Sequence, residues 1–313
     1  MGILLGLLTA VTWGSSDFLA RFASRRIGSL RTTFYMQLIG LVLLTIFLPW
    51  IGGWGHLRDG SGWQPWAWGA LAGTLNAISS LSLYRSFEVG KLAVVAPLSA
   101  SYPALTVAIS VFTGEHLTAM RAAGIALVLI GVIVVVRGEV DAEAKAEVTA
   151  EFKVDAKAET EASLALASSL PPKKSSSGVG AALVSAVGFG FLFWLLGNRV
   201  VPRVGFASTV WMIRLTSSVL TALVIFAMRR PISLPPKNSV SLWLLAMGIL
   251  DTGAFVLNNR GMQLEQVSVV SVLASLYGAV TVLLSTVVLR ERMSQWQWLG
   301  IVGIFAGIAL ISR

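Results

Sequence analysis

The sequence predicts an all-α membrane protein: ten transmembrane helices arranged as two inverted-topology five-helix repeats. Three observations predict it. The composition lacks the charge of a soluble surface, ten apolar runs have membrane-crossing length, and the second half repeats the first. Of 313 residues, 55% are hydrophobic and 12% charged, with mean hydropathy +0.78. A soluble domain carries about 25% charged residues. The net charge of +9 sits in short clusters between apolar runs, which points to a membrane surface as counter-charge and not to nucleic acid. Cysteine is absent and the two histidines, His56 and His116, fall in predicted loops. No phosphate-binding glycine loop, nucleophile elbow or metalloprotease pair occurs. The expectation is therefore no enzyme, no cofactor and no metal site.

A run of about 20 apolar residues crosses a bilayer core as a helix. The first, 2–22, lacks the basic start of a signal peptide and reads as a retained helix. Spans 33–51 and 64–84 follow. The fourth, 92–112, is interrupted by Pro97 and Pro103, each of which removes a helix hydrogen bond. Such a break is tolerated where the freed backbone faces protein or a wet cavity, so a kink lining a pathway is expected. The fifth span is 119–137. The segment 138–177, rich in Ala, Glu and Lys, holds eight of the fifteen acidic residues and reads as a solvated linker that ends in a helix-breaking "PPKKSSS". The second half supplies 178–197, 207–228, 240–259, 266–288 and 295–312, giving repeats over 1–137 and 178–313.

Shifted by 175 residues, 84–112 aligns with 259–287 without gaps. The weightiest identities are Arg85/Arg260, Tyr102/Tyr277, Thr106/Thr281 and Ser110/Ser285. Five spans per repeat is an odd number, so the second copy must enter the membrane upside down. Inverted repeats place a substrate near the midplane and rock to expose it to either side.

"TWGSSDFLARFASRR", "VVAPLSASYPALTVAISVFTGEHLTAMRAAGIALVLIGVIVVV" and "SVVSVLASLYGAVTVLLSTVVLRERMSQWQWLGIVGIFAGIALIS" resemble the EamA transporters of the drug/metabolite transporter superfamily. The resemblance spans the chain apart from the linker. It implies carrier-mediated movement of small metabolites, often export of amino acids or related compounds. Val272 and Gly278 depart from the pattern, standing where the first copy has Pro97 and Pro103.

Three charged residues lie well inside spans, and an intramembrane ionisable group is a functional candidate by default. Asp17 could pair with Arg21 four residues on, or hold a proton, because burial favours the neutral form of a carboxyl. Arg214 cannot deprotonate and must find a partner in Asp17, Asp251 or an anionic substrate group. Asp251 falls opposite Asn76 under the repeat shift, which suggests a cavity wall shared by both copies or an interhelical hydrogen bond. Tyr102 and Tyr277 are repeat-matched and mid-span, where an apolar ring with a hydroxyl suits a partly apolar metabolite. Trp13, Trp194 and Trp211 lie in spans that could face the same cavity. Trp63, Trp66, Trp68, Trp296 and Trp298 fit interfacial belts instead.

With Met1 cytoplasmic, the cytoplasmic segments would hold six basic residues: Arg58, Arg121, Arg199, Arg203, Arg260 and Arg313. The other side would hold eleven, among them Arg21, Arg25, Arg26 and Arg31. The positive-inside rule thus predicts both termini outside and the linker in the cytoplasm of a bacterial-type inner membrane. The functional expectation is a secondary carrier working by alternating access, coupled to protons, with the lipid bilayer and a small molecule as partners and one chain sufficient. A lipid-linked carrier flippase, with a cavity open sideways to lipid, and a non-transporting membrane receptor are the alternatives.

Overall fold

A computed structural model of the chain describes residues 1–51, 55, 62–90, 92–131, 133–134, 178–229, 239–289 and 295–311. The expected linker lies outside those residues. Every regular element among them is helical: α1 (Gly2–Ile27), α2 (Ser29–Phe47), α3 (Gln64–Val89), α4 (Leu92–Ser99), α5 (Pro103–Phe112) and α6 (Ala119–Gly131) in the first half. The second half holds α7 (Val179–Val204), α8 (Phe206–Ala227), α9 (Ser239–Leu264), α10 (Val267–Ala274), α11 (Tyr277–Leu289) and α12 (Gln295–Ile311). Among the described residues six helical segments are long and apolar enough to cross a membrane: α1, α2, α7, α8, α9 and Val267–Ser285.

The halves present the same elements in the same order. Each begins with a 26-residue helix that ends on a glycine, Gly28 at φ 84 and Gly205 at φ 86, and the next helix starts one residue later. A left-handed φ of this kind is open to glycine at little cost, and it reverses the chain within a single residue. Arg25 and Arg26 occupy the last turn of α1, where positive charge complements the helix dipole. Arg25 also ties that end to α3, donating through Nη2 to Gly90 O at 3.0 Å. Glu88 accepts from Ser29 N at 3.1 Å, filling one of the open amides at the start of α2.

Packing between halves is reciprocal. The first helix of each half lies against the third helix of the other (α1 on α9, α7 on α3), and the two second helices, α2 and α8, lie against each other. The fourth elements pair in the same crossed fashion, α11 on α4 and α10 on α5. This is the contact pattern of a pseudo-two-fold axis running between α2 and α8. Without hydrophobic drive between helices in lipid, close approach rests on small residues. At Gly14 of α1 an added Cβ would stand 2.9 Å from Tyr277 O, and Thr281 Oγ1 donates to Gly14 O at 3.2 Å. The large apolar side chains left on the outside, among them Val11, Phe112, Phe191, Phe226 and Leu242, suit a lipid-facing surface.

The fourth span is broken as expected: α4 ends at Ser99, Ala100–Tyr102 turn, and Pro103 opens α5. The ninth span, expected as one helix over 266–288, is broken at the matching place, between Ala274 and Tyr277. Proline is therefore not the cause common to both breaks. In each, the tyrosine Tyr102 or Tyr277 stands at the break.

Candidate functional site

The two breaks face each other across the axis, and α1, α3, α7 and α9 close around them. Between these elements lies a small cavity. Asp17 and Trp13 reach it from α1, Ser80 and Tyr84 from α3, Phe189 and Phe193 from α7. Asp251 and Phe255 enter from α9, and Tyr102 and Tyr277 from the breaks. The wall is aromatic: Trp13 lies 5.4 Å from Phe193, 5.0 Å from Phe255 and 6.1 Å from Tyr277 between ring centroids. Tyr102 lies 4.8 Å from Phe193 and stacks on Tyr277 at 6.4 Å. The open space at its centre is about 20 Å³, room for a water or two. A metabolite requires the walls to part.

Asp17 is 4% exposed. The pairing with Arg21 along α1 is not made: Asp17 takes part in none of the ion pairs among the described residues, which join Arg85 to Glu88, Arg121 to Glu265 and Arg214 to Asp251. The Asp17 and Asp251 carboxyls are near enough for their charges to interact.

Behind Asp251 stands a polar hub. Arg214, fully buried on α8, pairs through Nη2 with Asp251 Oδ2. Its Nη1 donates to Gln37 Oε1 of α2 at 2.6 Å, across the axis, and approaches Met36 Sδ at 3.5 Å. The guanidinium lies 4.9 Å from the centre of the Phe255 ring, a favourable cation–π arrangement. Burying an arginine is tolerable only with such company. Room comes from Gly40, where a side chain would collide with Arg214 and Thr252. Asn76 Nδ2 donates to Ser217 Oγ at 3.0 Å, and that hydroxyl donates to Gly73 O at 2.8 Å. Gln37 Nε2, Arg214 Nε, Asn76 Oδ1, Thr252 Oγ1 and Tyr277 Oη are buried with no protein partner. Buried polar atoms left so are costly, and such a concentration marks the hub as a place for exchangeable partners.

Of the expected site residues, Trp13, Asp17, Tyr102, Asp251 and Tyr277 share the cavity, while Arg214 and Asn76 belong to the hub behind it. Trp194 and Trp211 do not face it. Phe193 takes the cavity-facing position, and the next residue on a helix points about 100° away; Trp194 Nε1 donates instead to Thr113 Oγ1 at 3.1 Å. Trp211 Nε1 donates to Thr45 Oγ1 at 2.9 Å. Pro97 lies within α4; Pro103 starts α5 at the break and does not line the cavity. Sequence reasoning missed Gln37, Tyr84, Phe189, Phe193 and Phe255. Phe255 was accessible by helical spacing, four residues beyond Asp251. Gln37 follows Gly28 by nine residues as Arg214 follows Gly205, a correspondence hidden by a shift of 177 in the first two helices against 175 beyond. Among the described residues no group of three or more His, Cys, Asp or Glu is placed to hold a metal.

An apolar helical bundle with a buried, carboxylate-bearing cavity on the axis between two like halves is the architecture of a membrane transport protein. The EamA-like transporter family model matches residues 1–137 and 176–313, and the chain belongs to that family. An uncharacterized protein of Methanocaldococcus jannaschii, MJ1333.1, is 33% identical over 132 residues, which are 42% of this chain and 93% of the relative. A relative so short corresponds to about one half of this chain. A protein of known crystal structure, 21% identical, superposes with a TM-score of 0.69 over 99% of this chain and 95% of its own, a likeness of fold alone.

Proposed function

We propose that the chain is a proton-coupled secondary carrier that exports small metabolites, amino acids or related compounds, by alternating access. Ten spans do this in the proposed arrangement: α1, α2, α3, α4 with α5, and α6, then α7, α8, α9, α10 with α11, and α12. They form inverted repeats over 1–137 and 178–313, joined by a cytoplasmic linker over 138–177. The chain sits in a bacterial-type inner membrane with both termini outside, and one copy suffices because both repeats are present.

The observation that carries this reading is Asp17: a buried carboxyl, without an ion pair among the described residues, on the wall of a cavity between the halves. A carboxyl held this way binds and releases a proton as the cavity alternates between wet and dry, whereas Asp251 is held by Arg214 as part of the hub. The crossed packing of the halves supports rocking about the shared axis, since each half contributes a wall.

The test is flux in liposomes that hold the purified protein and an internal pH dye, with pools of amino acids and related metabolites added outside. The expected result is a substrate-dependent pH change that disappears in Asp17→Asn. A pH change undiminished in Asp17→Asn removes Asp17 from coupling, and no flux from any pool removes the carrier reading.

A further inference from the structure

We infer that the cavity is built for an organic cation without a carboxylate: a protonated amine on an apolar, preferably aromatic, body. The inference rests on the carrier reading for its biological sense and on the cavity wall for its chemistry. The described wall carries two aspartates and no lysine, arginine or histidine. One of the two, Asp251, is already neutralised by Arg214, which leaves one formal negative charge, on Asp17. Around it stand aromatic rings from six elements: Trp13, Tyr84, Tyr102, Phe193, Phe255 and Tyr277. The faces of such rings carry partial negative charge and attract cations. The wall shows that chemistry in its own structure, because the Arg214 guanidinium already lies 4.9 Å over the Phe255 ring. A second organic cation on the cavity side of this cluster finds the same kind of surface.

Hydrogen bonding agrees with the charge. An ammonium group is a donor only, and the cavity offers two acceptors in need of one. Asp17 has no ion-pair partner among the described residues, and Tyr277 Oη is buried without a protein partner. The hydroxyl of Tyr102, by contrast, is spent on Ser271 O at 3.0 Å.

The same geometry works against the carboxylate of an amino acid. Arg214 is fully buried behind Asp251, with Nη2 on that carboxylate and Nη1 on Gln37. An incoming carboxylate would have to displace Asp251 or lie unpaired between two aspartates, and a buried unpaired charge is among the costliest groups a protein can hold. Within the amino acids and related compounds, this selects the amines that lack the acid group.

A matched pair of probes tests this without any variant: phenethylamine and phenylalanine differ by the carboxylate alone. Binding to the full chain in nanodiscs is read by calorimetry, and movement by exchange of each labelled probe in proteoliposomes against protein-free vesicles. The expected result is phenethylamine bound at least tenfold tighter than phenylalanine. Asp17→Asn then weakens the amine at least tenfold, and Tyr277→Phe weakens it by a smaller factor. Equal or tighter binding of phenylalanine, no binding of the amine, or amine binding unchanged in Asp17→Asn each overturns the inference. Selective amine binding without exchange supports the inference and defeats the carrier reading. Exchange of phenylalanine in preference to the amine does the reverse.

Discussion

In the first half, the second and third helices bring Gln37 and Asn76 to the axis; in the second half the same places hold Arg214 and Asp251. The packing around the two pairs is reciprocal, yet one pair is neutral and the other ionic. The difference teaches how a duplicated scaffold hosts charge in a membrane. Gln37 Oε1 accepts from Arg214 across the axis, so the neutral half supplies the hydrogen bond that the charged half needs. The asymmetry extends outward. Asp17 of α1 has Trp194 as its counterpart at the same depth of α7, and Tyr102 Oη has a partner where Tyr277 Oη has none.

The strongest way to break the comparison is to give the second half the chemistry of the first. Arg214→Gln alone leaves Asp251 buried without its cation and should cost about 3–5 kcal/mol of stability. Asp251→Asn alone strands the arginine with a similar loss. The double variant Arg214→Gln with Asp251→Asn should recover most of either, because a neutral pair already stands in the first half. Thermal unfolding midpoints of the four proteins in one detergent decide this, and a double variant as unstable as the singles refutes the equivalence.

Gly40→Ala should cost about 1–3 kcal/mol by forcing Arg214 and Thr252 aside, whereas Ser217→Ala at the matching position on α8 loses only its hydrogen bonds to Asn76 and Gly73. The same unfolding measurement ranks them. The tyrosines sharpen the contrast further. Tyr102→Phe should lose about 1 kcal/mol with the bond to Ser271, while Tyr277→Phe should leave stability unchanged or slightly raised and weaken substrate binding instead. Equal stability losses would mean that the two hydroxyls are equivalent after all. The smallest effect is expected at the prolines. Pro97→Ala and Pro103→Ala should each change stability by less than about 1 kcal/mol, because the second half breaks at the same place with Val272 and Gly278 there.

Helix positions were legible in the sequence, since an apolar run of bilayer length has few other uses. Helix ends were not. Spans read as 2–22, 64–84 and 240–259 continue to Ile27, Val89 and Leu264, because a helix does not stop where hydrophobicity does: Arg25 and Arg26 extend α1 into the interface. The break at Tyr277 was illegible for the opposite reason, since nothing local to "LASLYGAV" forbids a helix, and the interruption lies where the chain packs against α4 of the other half. Within the site, charge made Asp17, Arg214 and Asp251 conspicuous, and repeat matching found Asn76, Tyr102 and Tyr277. Trp194 and Trp211 were misassigned because span membership says nothing of which face a side chain takes. Gln37, an ordinary amide in a string of polar residues, gains its role only from the guanidinium that meets it.

That meeting of Gln37 with Arg214 also bears on why the two halves share one polypeptide. Were two second halves to associate with each other, the axis would bring Arg214 against its own copy, guanidinium to guanidinium, with no acceptor between them. Two first halves would meet amide to amide and carry no charge to the centre. Only the mixed assembly gives the guanidinium an acceptor from across the axis, so the covalent join does more than keep the halves near each other. It guarantees one of each, and excludes at synthesis the two self-pairings that the axis cannot accommodate equally well.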